Sequence, residues 1–479
     1  MDEYMIVDIG TSSVRAAVLG TDMQIRDMAV EKRNADVCFD ADEEWNRVRR
    51  LMKKVIHRGI KSVAVSSLLG WVGTDKDGRA VTPCYSYMHQ EKEAYDEFVE
   101  RYGKDRFYSI SGRAADAEWA AFKLFAMKEK EPEMYSRTDK LLSFKDYINL
   151  KLTGVAAMDH TTAAYTYLYD IKEGRWSSEM LGTFGITESF FPKLRKPFEK
   201  IGCMKEELCE ELAGSVMHIP VIAGSTDGST AVLGAGGLEC GMSVNVMGTT
   251  GVFFSVSDSV ENISSCGLIA NPHVIPGKWL VGGPMGMFGG TIGWLTESIG
   301  GRQFSLGDLT ERAKEIRPGS DGVIVYPCLA GERAPFWNPE MTGTILGLKN
   351  KHGLVHVFRG IMEAEGYGVK NMIEKAAGMK IPCHTIRVIG GGAKNELWMQ
   401  IKADITGVPI ARGEDTEATL NGGLFLCMLG EGKEVRNLPA IMESDRAYPD
   451  VKHTEEYEWL YKKYIRIHEQ LEKIYKNVL

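Results

Sequence analysis

The run Asp8-Ile9-Gly10-Thr11-Ser12-Ser13-Val14-Arg15 decides how the rest of the chain is read. Apolar residues stand on both sides of it, Met5-Ile6-Val7 before and Ala16-Ala17-Val18-Leu19 after. The pattern predicts a strand over 5–10, a turn at Thr11-Ser12-Ser13 and a second strand over 14–19. A turn rich in Gly and hydroxyl residues can aim successive backbone N–H groups at one point, which suits phosphate oxygens. Thr11, Ser12 and Ser13 add hydroxyl donors, and Arg15 adds charge. Asp8 ends a buried strand, where a carboxylate is costly unless it faces a cation, water or a polar cleft. Two readings stand: Asp8 holds hydrated Mg²⁺ beside phosphates, or it is a structural residue that caps the turn.

The same pattern returns once. Gly248-Thr249-Thr250-Gly251-Val252 aligns with Gly10–Val14, and Ser255-Val256 then aligns with Ala17-Val18. Val246 takes the place of Asp8, so only the first copy carries the acid. Two hairpins facing each other could clamp a polyphosphate. Copies near the starts of two halves predict duplicated α/β domains, 1–242 and 243–479. A length of 479 residues suits two domains.

Other elements follow from periodicity and breakers. Strands are predicted over 62–66 and 219–223, and a hairpin over 71–83 turning at Asp75-Lys76-Asp77-Gly78. The stretch 91–152 is mostly helical. In the second half a helix covers 354–377, strands cover 386–389 and 408–412, and a helix reaching 404–406 stops at Gly407. The stretch 454–479 puts Tyr457, Leu460, Tyr461, Tyr464, Ile467, Leu471, Ile474 and Tyr475 on one stripe, a helix packed on the body.

Two further motifs carry chemistry. In Ala223-Gly224-Ser225-Thr226-Asp227-Gly228-Ser229-Thr230-Ala231 an Asp sits between small residues, after a strand and before an apolar run. Asp227 could accept the proton of an attacking hydroxyl, or it could N-cap the helix that follows. Gly390-Gly391-Gly392-Ala393-Lys394-Asn395 enters a helix and could lie flat against a base or sugar. Asn395 stands where a dinucleotide fingerprint needs its last glycine. No GxxxxGK[ST] or HExxH is present.

Composition narrows the function classes. Lys+Arg is 57 against Asp+Glu 65, a net charge of −8, which gives no footprint for nucleic acid or anionic membrane. No run of about 18 apolar residues suggests a membrane span. The opening MDEYMIVDIG has no basic region and no small-residue cleavage site, so no secretory leader is expected. The nine cysteines form no CxxC pair, so they read as free thiols in a reducing cytoplasm.

These segments, in this order, resemble the FGGY carbohydrate kinases of the actin-like ATPase superfamily. DIGTSSVRA resembles the first phosphate motif, and AGSTDGSTAVLGAG the segment with the catalytic Asp. VNVMGTTGVFF is similar to the second phosphate motif, and residues 326–348 to the GERTP-type signature. FRGIMEAEGYGV and GGGAKNELWMQIKADITGVPI follow with familiar spacing.

The resemblance implies two actin-like (ribonuclease H-like) α/β domains flanking a deep cleft, sugar mainly on the first and ATP mainly on the second. It implies a cytoplasmic kinase that uses ATP and Mg²⁺, and is compatible with a homodimer. Asp227 would be the general base and Asp8 the Mg²⁺-linked carboxylate. Thr11, Ser12, Ser13, Arg15 and Thr249 would surround the phosphates, with Gly392, Ala393 and Asn395 near adenosine. The sugar-binding runs depart from the family. Ser67-Leu68-Leu69-Gly70 replaces a Gln-Met-His-Gly-like run, so Leu69 stands for the usual His. Tyr87-Met88-His89-Gln90-Glu91 replaces a Trp-x-Asp-x-Arg-like run, with His89 for the acid and Glu91 for the base. Trp71 and His89 are expected in the sugar pocket, against the plainer alternative of core packing and surface. The acceptor is expected to be a xylulose- or gluconate-like sugar, polyol or sugar acid. A non-catalytic nucleotide-binding module is the competing expectation.

Overall fold

A computed structural model describes residues 2–34, 36–301, 304–413 and 417–477. The chain divides into two compact units. The first holds Met1–Gly236, Asn271–Lys278 and Glu417–Ala440; the second holds Gly237–Ala270, Trp279–Thr416 and Ile441–Leu479. The sequence reading draws one break after 242, whereas the packing interleaves the segments. The helix Ala418–Gly430 explains the return to the first unit. It is buried along nearly its whole length and packs on the helix Asp227–Gly234. A Cβ at Gly234 would stand 1.8 Å from the Ala418 carbonyl oxygen, and one at Gly422 1.9 Å from that of Thr230. Only glycine lets the two backbones approach this closely.

The first unit is built on six strands: β1 (Glu3–Ile9), β2 (Ser13–Gly20), β3 (Ile25–Lys32), β4 (Ile60–Ser67), β5 (Lys200–Cys203) and β6 (Pro220–Thr226). Their spatial order is β5-β6-β4-β1-β2-β3. β1 is antiparallel to β2 and parallel to β4, which is parallel to β6. Residues 4–9 are all buried, as a strand covered on both faces requires.

The second unit repeats this arrangement with β7 (Met242–Met247), β8 (Gly251–Ser257), β9 (Trp279–Pro284), β10 (Thr385–Ile389), β11 (Ile410–Gly413) and β12 (Glu443–Ala447). Their order is β9-β8-β7-β10-β11-β12, and a seventh strand, Ile269–Pro272, is added at the edge beside β9. β7 is antiparallel to β8 and parallel to β10, which is parallel to β11. The two hairpins seen in the sequence are β1–β2 and β7–β8, at the same place in each sheet. Strand order and sense therefore carry the repeat that only a few residues betray.

A smaller sheet in the first unit has the order Cys38–Phe39, Cys84–Ser86, Gly70–Thr74, Lys140–Ser143. The expected hairpin turns at Asp75–Gly78, where the Gly78 N–H donates to the Asp75 carbonyl at 3.0 Å. Its return arm shrinks to one bridge, Thr74 to Ala80. The Gly73 N–H instead donates to the Thr82 hydroxyl at 2.8 Å, and Pro83 has no N–H to offer a ladder.

The long helices lie where periodicity puts them: Leu354–Gly378, Glu396–Thr406 and Val451–Asn477. Gly407 ends the second in the left-handed region at φ 70°. Tyr457, Tyr461 and Tyr464 of the last helix are buried, while Ile474, on the same predicted stripe, is exposed. Among the described residues no helix is long and apolar enough to cross a membrane.

Candidate active site

In the first unit the parallel strands deliver polar groups to one edge of the sheet. Asp8 pairs with Ser66 across β1–β4, and Ser66 pairs with Ser225 across β4–β6. Asp227 follows two residues later. The carboxyl ends of adjacent parallel strands are where open α/β sheets bind ligands.

The β1–β2 turn closes with the Gly10 N–H donating to the Ser13 carbonyl at 2.9 Å. Thr11 and Ser13 are half-buried and Ser12 is exposed. Arg33 braces the turn from behind: its N–H donates to the Ser12 carbonyl at 3.0 Å and its Nη1 to the Gly10 carbonyl at 3.2 Å. Asp8 is buried and accepts from Arg15 Nε at 3.0 Å. Both Arg15 contacts fall on Oδ2. Arg15 also pairs with Glu417. Burial pushes the Asp8 carboxyl up, and Arg15 opposes that shift. Arg15, expected among the phosphates, is thus committed to two carboxylates in this structure.

Asp227 is the first residue of its helix, and Thr226 holds the N-cap position. Its Oδ1 accepts the Gly228 N–H at 2.7 Å. Burial first, then the nearby Asp8 charge, raises its carboxyl from 3.8 to about 6. Such a group is ionised at neutral pH yet close to it, as a general base needs.

The residues expected around the sugar are less open than the sequence suggests. Trp71 is fully buried. It lies in the small sheet between Tyr85 and Ser143, and its indole N–H has no hydrogen-bond partner among the described residues. The expected open ring face is absent, because Trp71 packs inside the lobe. His89 has both ring nitrogens engaged. Nε2 meets Glu91 Oε1 at 2.7 Å, and Nδ1 meets Cys38 Sγ at 3.4 Å. The bond to His89 holds the Glu91 carboxyl below its usual range. Beneath them Lys123 donates to the carbonyls of His89 (2.8 Å) and Glu118 (2.9 Å), and burial lowers its ammonium to about 8. The Leu68-Leu69 pair ties this group to the end of β1: the Leu68 N–H donates to the Ile9 carbonyl, and the Leu69 carbonyl accepts from the Tyr87 N–H.

The second unit carries a cavity of about 900 Å³, within the size range of nucleotide-sized ligand pockets. Thr249, Leu306, Thr310, Gly391, Gly392 and Asn395 line part of it. Gly391 opens onto free space, with nothing within 4 Å of a Cβ placed there. Gly392 is fixed by packing, since its Cβ would meet Met247 at 2.9 Å and Trp398 at 3.1 Å. Asn395 is the helix N-cap, accepting from Trp398 N at 3.1 Å and donating to Thr310 Oγ1 at 2.9 Å. Ala393 is buried and does not line the cavity. The β7–β8 turn sits against the helix Phe288–Trp294, where the Gly290 N–H donates to the Thr249 carbonyl at 3.0 Å.

Cys38, Lys123, Arg33, Glu417 and Thr310 also belong to these sites, though nothing in the sequence singles them out. None lies in a motif, and each reaches its site only through the fold. Gly391 differs from them in standing inside the Gly390–Asn395 motif.

The comparisons agree with this geometry. The model for the N-terminal domain of the FGGY family of carbohydrate kinases matches residues 3–234, and that for its C-terminal domain matches 243–431. The chain belongs to the FGGY family of carbohydrate kinases. It is an ATP-dependent sugar kinase, a phosphotransferase with an alcohol acceptor. A gluconokinase of Bacillus subtilis is 25% identical over 100% of this chain and 98% of that protein. A xylulose kinase of Escherichia coli is 26% identical over 98% and 99%. A crystal structure of gluconate kinase from Lactobacillus acidophilus superposes with a TM-score of 0.92 at 22% identity, covering 100% of both chains. A non-catalytic module finds no support in these matches.

Proposed function

We propose that this kinase transfers the γ-phosphoryl group of ATP to a hydroxyl of a small sugar, polyol or sugar acid of the xylulose or gluconate class, with Asp227 as general base. One observation carries the role of Asp227: a carboxylate raised to about 6 by burial stands at the strand edge that also holds the Gly10–Ser13 turn. The relatives' names, gluconokinase and xylulose kinase, support the acceptor class.

Asp227 takes the proton as the hydroxyl attacks. In the first unit the Thr11–Ser13 turn offers phosphate oxygens backbone N–H and hydroxyl donors, and in the second unit the turn at Thr249 offers the same kind of donors. The cavity beside Gly391 and Gly392 takes adenosine. Positioning and charge stabilisation account for most phosphoryl-transfer catalysis, so these groups matter as much as the base. His89, clamped by Glu91 and Cys38, shapes the acceptor side.

Among the described residues no three His, Cys, Asp or Glu side chains converge to hold a metal ion. That fits Mg²⁺ bound through phosphate oxygens, water and one or two carboxylates. Asp8, with Oδ1 clear of Arg15, would be its protein ligand, and the ion would neutralise phosphate charge. The test is ADP release across a panel of ketoses, polyols and sugar acids that includes D-xylulose and D-gluconate. Turnover on one acceptor class supports the proposal; uniform silence across the panel contradicts it.

A further inference from the structure

β6 does not run straight to Asp227. Against β4, Ile222 pairs with Ala64 but Ser225 pairs with Ser66, so β6 carries one extra residue. The bulge falls at Ala223–Gly224. Gly224 has φ +74°, and a Cβ there would stand 1.9 Å from the Val65 carbonyl oxygen. No other residue fits.

The Ala223 carbonyl at this bulge is met by two buried side chains. Lys145 Nζ donates to it at 2.9 Å and Asn149 Nδ2 at 2.8 Å. Both residues are shut off from solvent. The Lys145 ammonium is also paired with Asp146 and, at 3.2 Å, with Asp159. Asp159 in turn accepts from Thr161, whose hydroxyl meets Ser225 Oγ at 2.6 Å. One charged network therefore grips β6 at residue 223 through its carbonyl and at residue 225 through its side chain. Asp227 is the next residue but one. A buried ion cluster is weak evidence for stability in itself, since well-packed apolar residues often do as well. Donors aimed at the bulge carbonyl give this one a specific task.

We infer that Lys145 is a positioning residue for Asp227, its ammonium holding the Ala223–Gly224 bulge that sets where β6 ends and the carboxylate begins. This rests on Asp227 being the base. A displacement of about 1 Å at a reacting group can cost on the order of 10²-fold in rate.

The test is the double variant Lys145→Met/Asp159→Asn. It removes one positive and one negative charge, so the cluster's net charge is unchanged, and the asparagine amide retains an oxygen for the short helix His160–Ala164, whose Thr161 and Thr162 N–H groups Asp159 caps. Expected is a fall in kcat of roughly 10- to 100-fold, with KM for ATP within about twofold of wild type and thermal unfolding still cooperative. A folded double variant with wild-type kcat overturns the inference, and so does a loss carried by KM for ATP. Asn149→Leu removes the neutral donor without touching charge, and a smaller kcat loss of about 3- to 10-fold is expected. If the double variant does not fold, unchanged kcat in Asn149→Leu overturns the inference. Asp227→Asn separates the two claims. If it is inactive while the double variant is fully active, the positioning role fails and the base stands. If it turns over normally, the base reading itself fails.

Discussion

Asp227→Asn should trade activity for stability. The folded protein raises this carboxyl from 3.8 to about 6, so folding binds its proton more tightly than the unfolded chain does. The ionised group therefore costs stability above pH 6, and that cost fades as pH falls towards 4. About two pKa units correspond to about 3 kcal/mol at pH 7, shrinking to about 1 kcal/mol at pH 4.5. Asparagine keeps an acceptor for the Gly228 N–H but carries no charge. The variant should thus be more stable than wild type by up to about 3 kcal/mol at pH 7, with most of the gain gone by pH 4.5. In a unit of this size each kcal/mol moves Tm by roughly 2–4 °C. Losing the base should cost about 10²–10⁴-fold in kcat. Calorimetry without Mg²⁺ at both pH values, paired with steady-state kinetics, reads both effects. Equal stability of the two proteins at pH 7 would refute the raised carboxyl. Unchanged turnover would reduce Asp227 to a helix residue.

Other consequences are open to direct measurement. In the wild-type enzyme kcat/KM should fall about tenfold per unit as pH drops below about 6, where Asp227 takes up its proton; a flat profile down to pH 5 contradicts the assignment. Gly391→Val projects a side chain into the open cavity, so KM for ATP should rise about tenfold or more (roughly 1.4 kcal/mol of lost binding) while KM for sugar holds; equal effects on both ligands would place adenosine elsewhere. Trp71→Ala should destabilise by about 3–5 kcal/mol as a buried truncation, whereas Trp71→Phe should leave sugar KM unchanged. His89→Ala should alter sugar KM more than ATP KM, and the reverse result would remove His89 from the acceptor side. Excess chelator should stop turnover, and Asp8→Asn should raise the Mg²⁺ needed; activity in chelator would exclude the metal role of Asp8.

The hairpins are legible because the largely apolar β1 and the alternating β7 each end at a turn of Gly and hydroxyl residues, a contrast local enough to show in one sequence. Asp227 showed for the same reason, as an acid among small residues. Burial on a particular face was not readable. Trp71 looks the same in sequence whether its ring is open or enclosed, and strand pairing on both sides of it settles the matter. Arg15 reads as a free cation until Glu417, some 400 residues away, is seen to share it. The return of Ala418–Gly430 to the first unit depends on glycine contacts between helices far apart in the chain. The bulge at Gly224 is hidden as well, because Lys145 and Asn149 reach it from another helix.

The most direct test of the central claim is ³¹P NMR of wild-type enzyme and Asp227→Asn with ATP, Mg²⁺ and the best acceptor of the panel. Wild type should form one sugar phosphate monoester for each ADP, while the variant should bind ATP and form almost none. ATP consumption that yields only inorganic phosphate with every acceptor, or ester formed equally fast by Asp227→Asn, would contradict it.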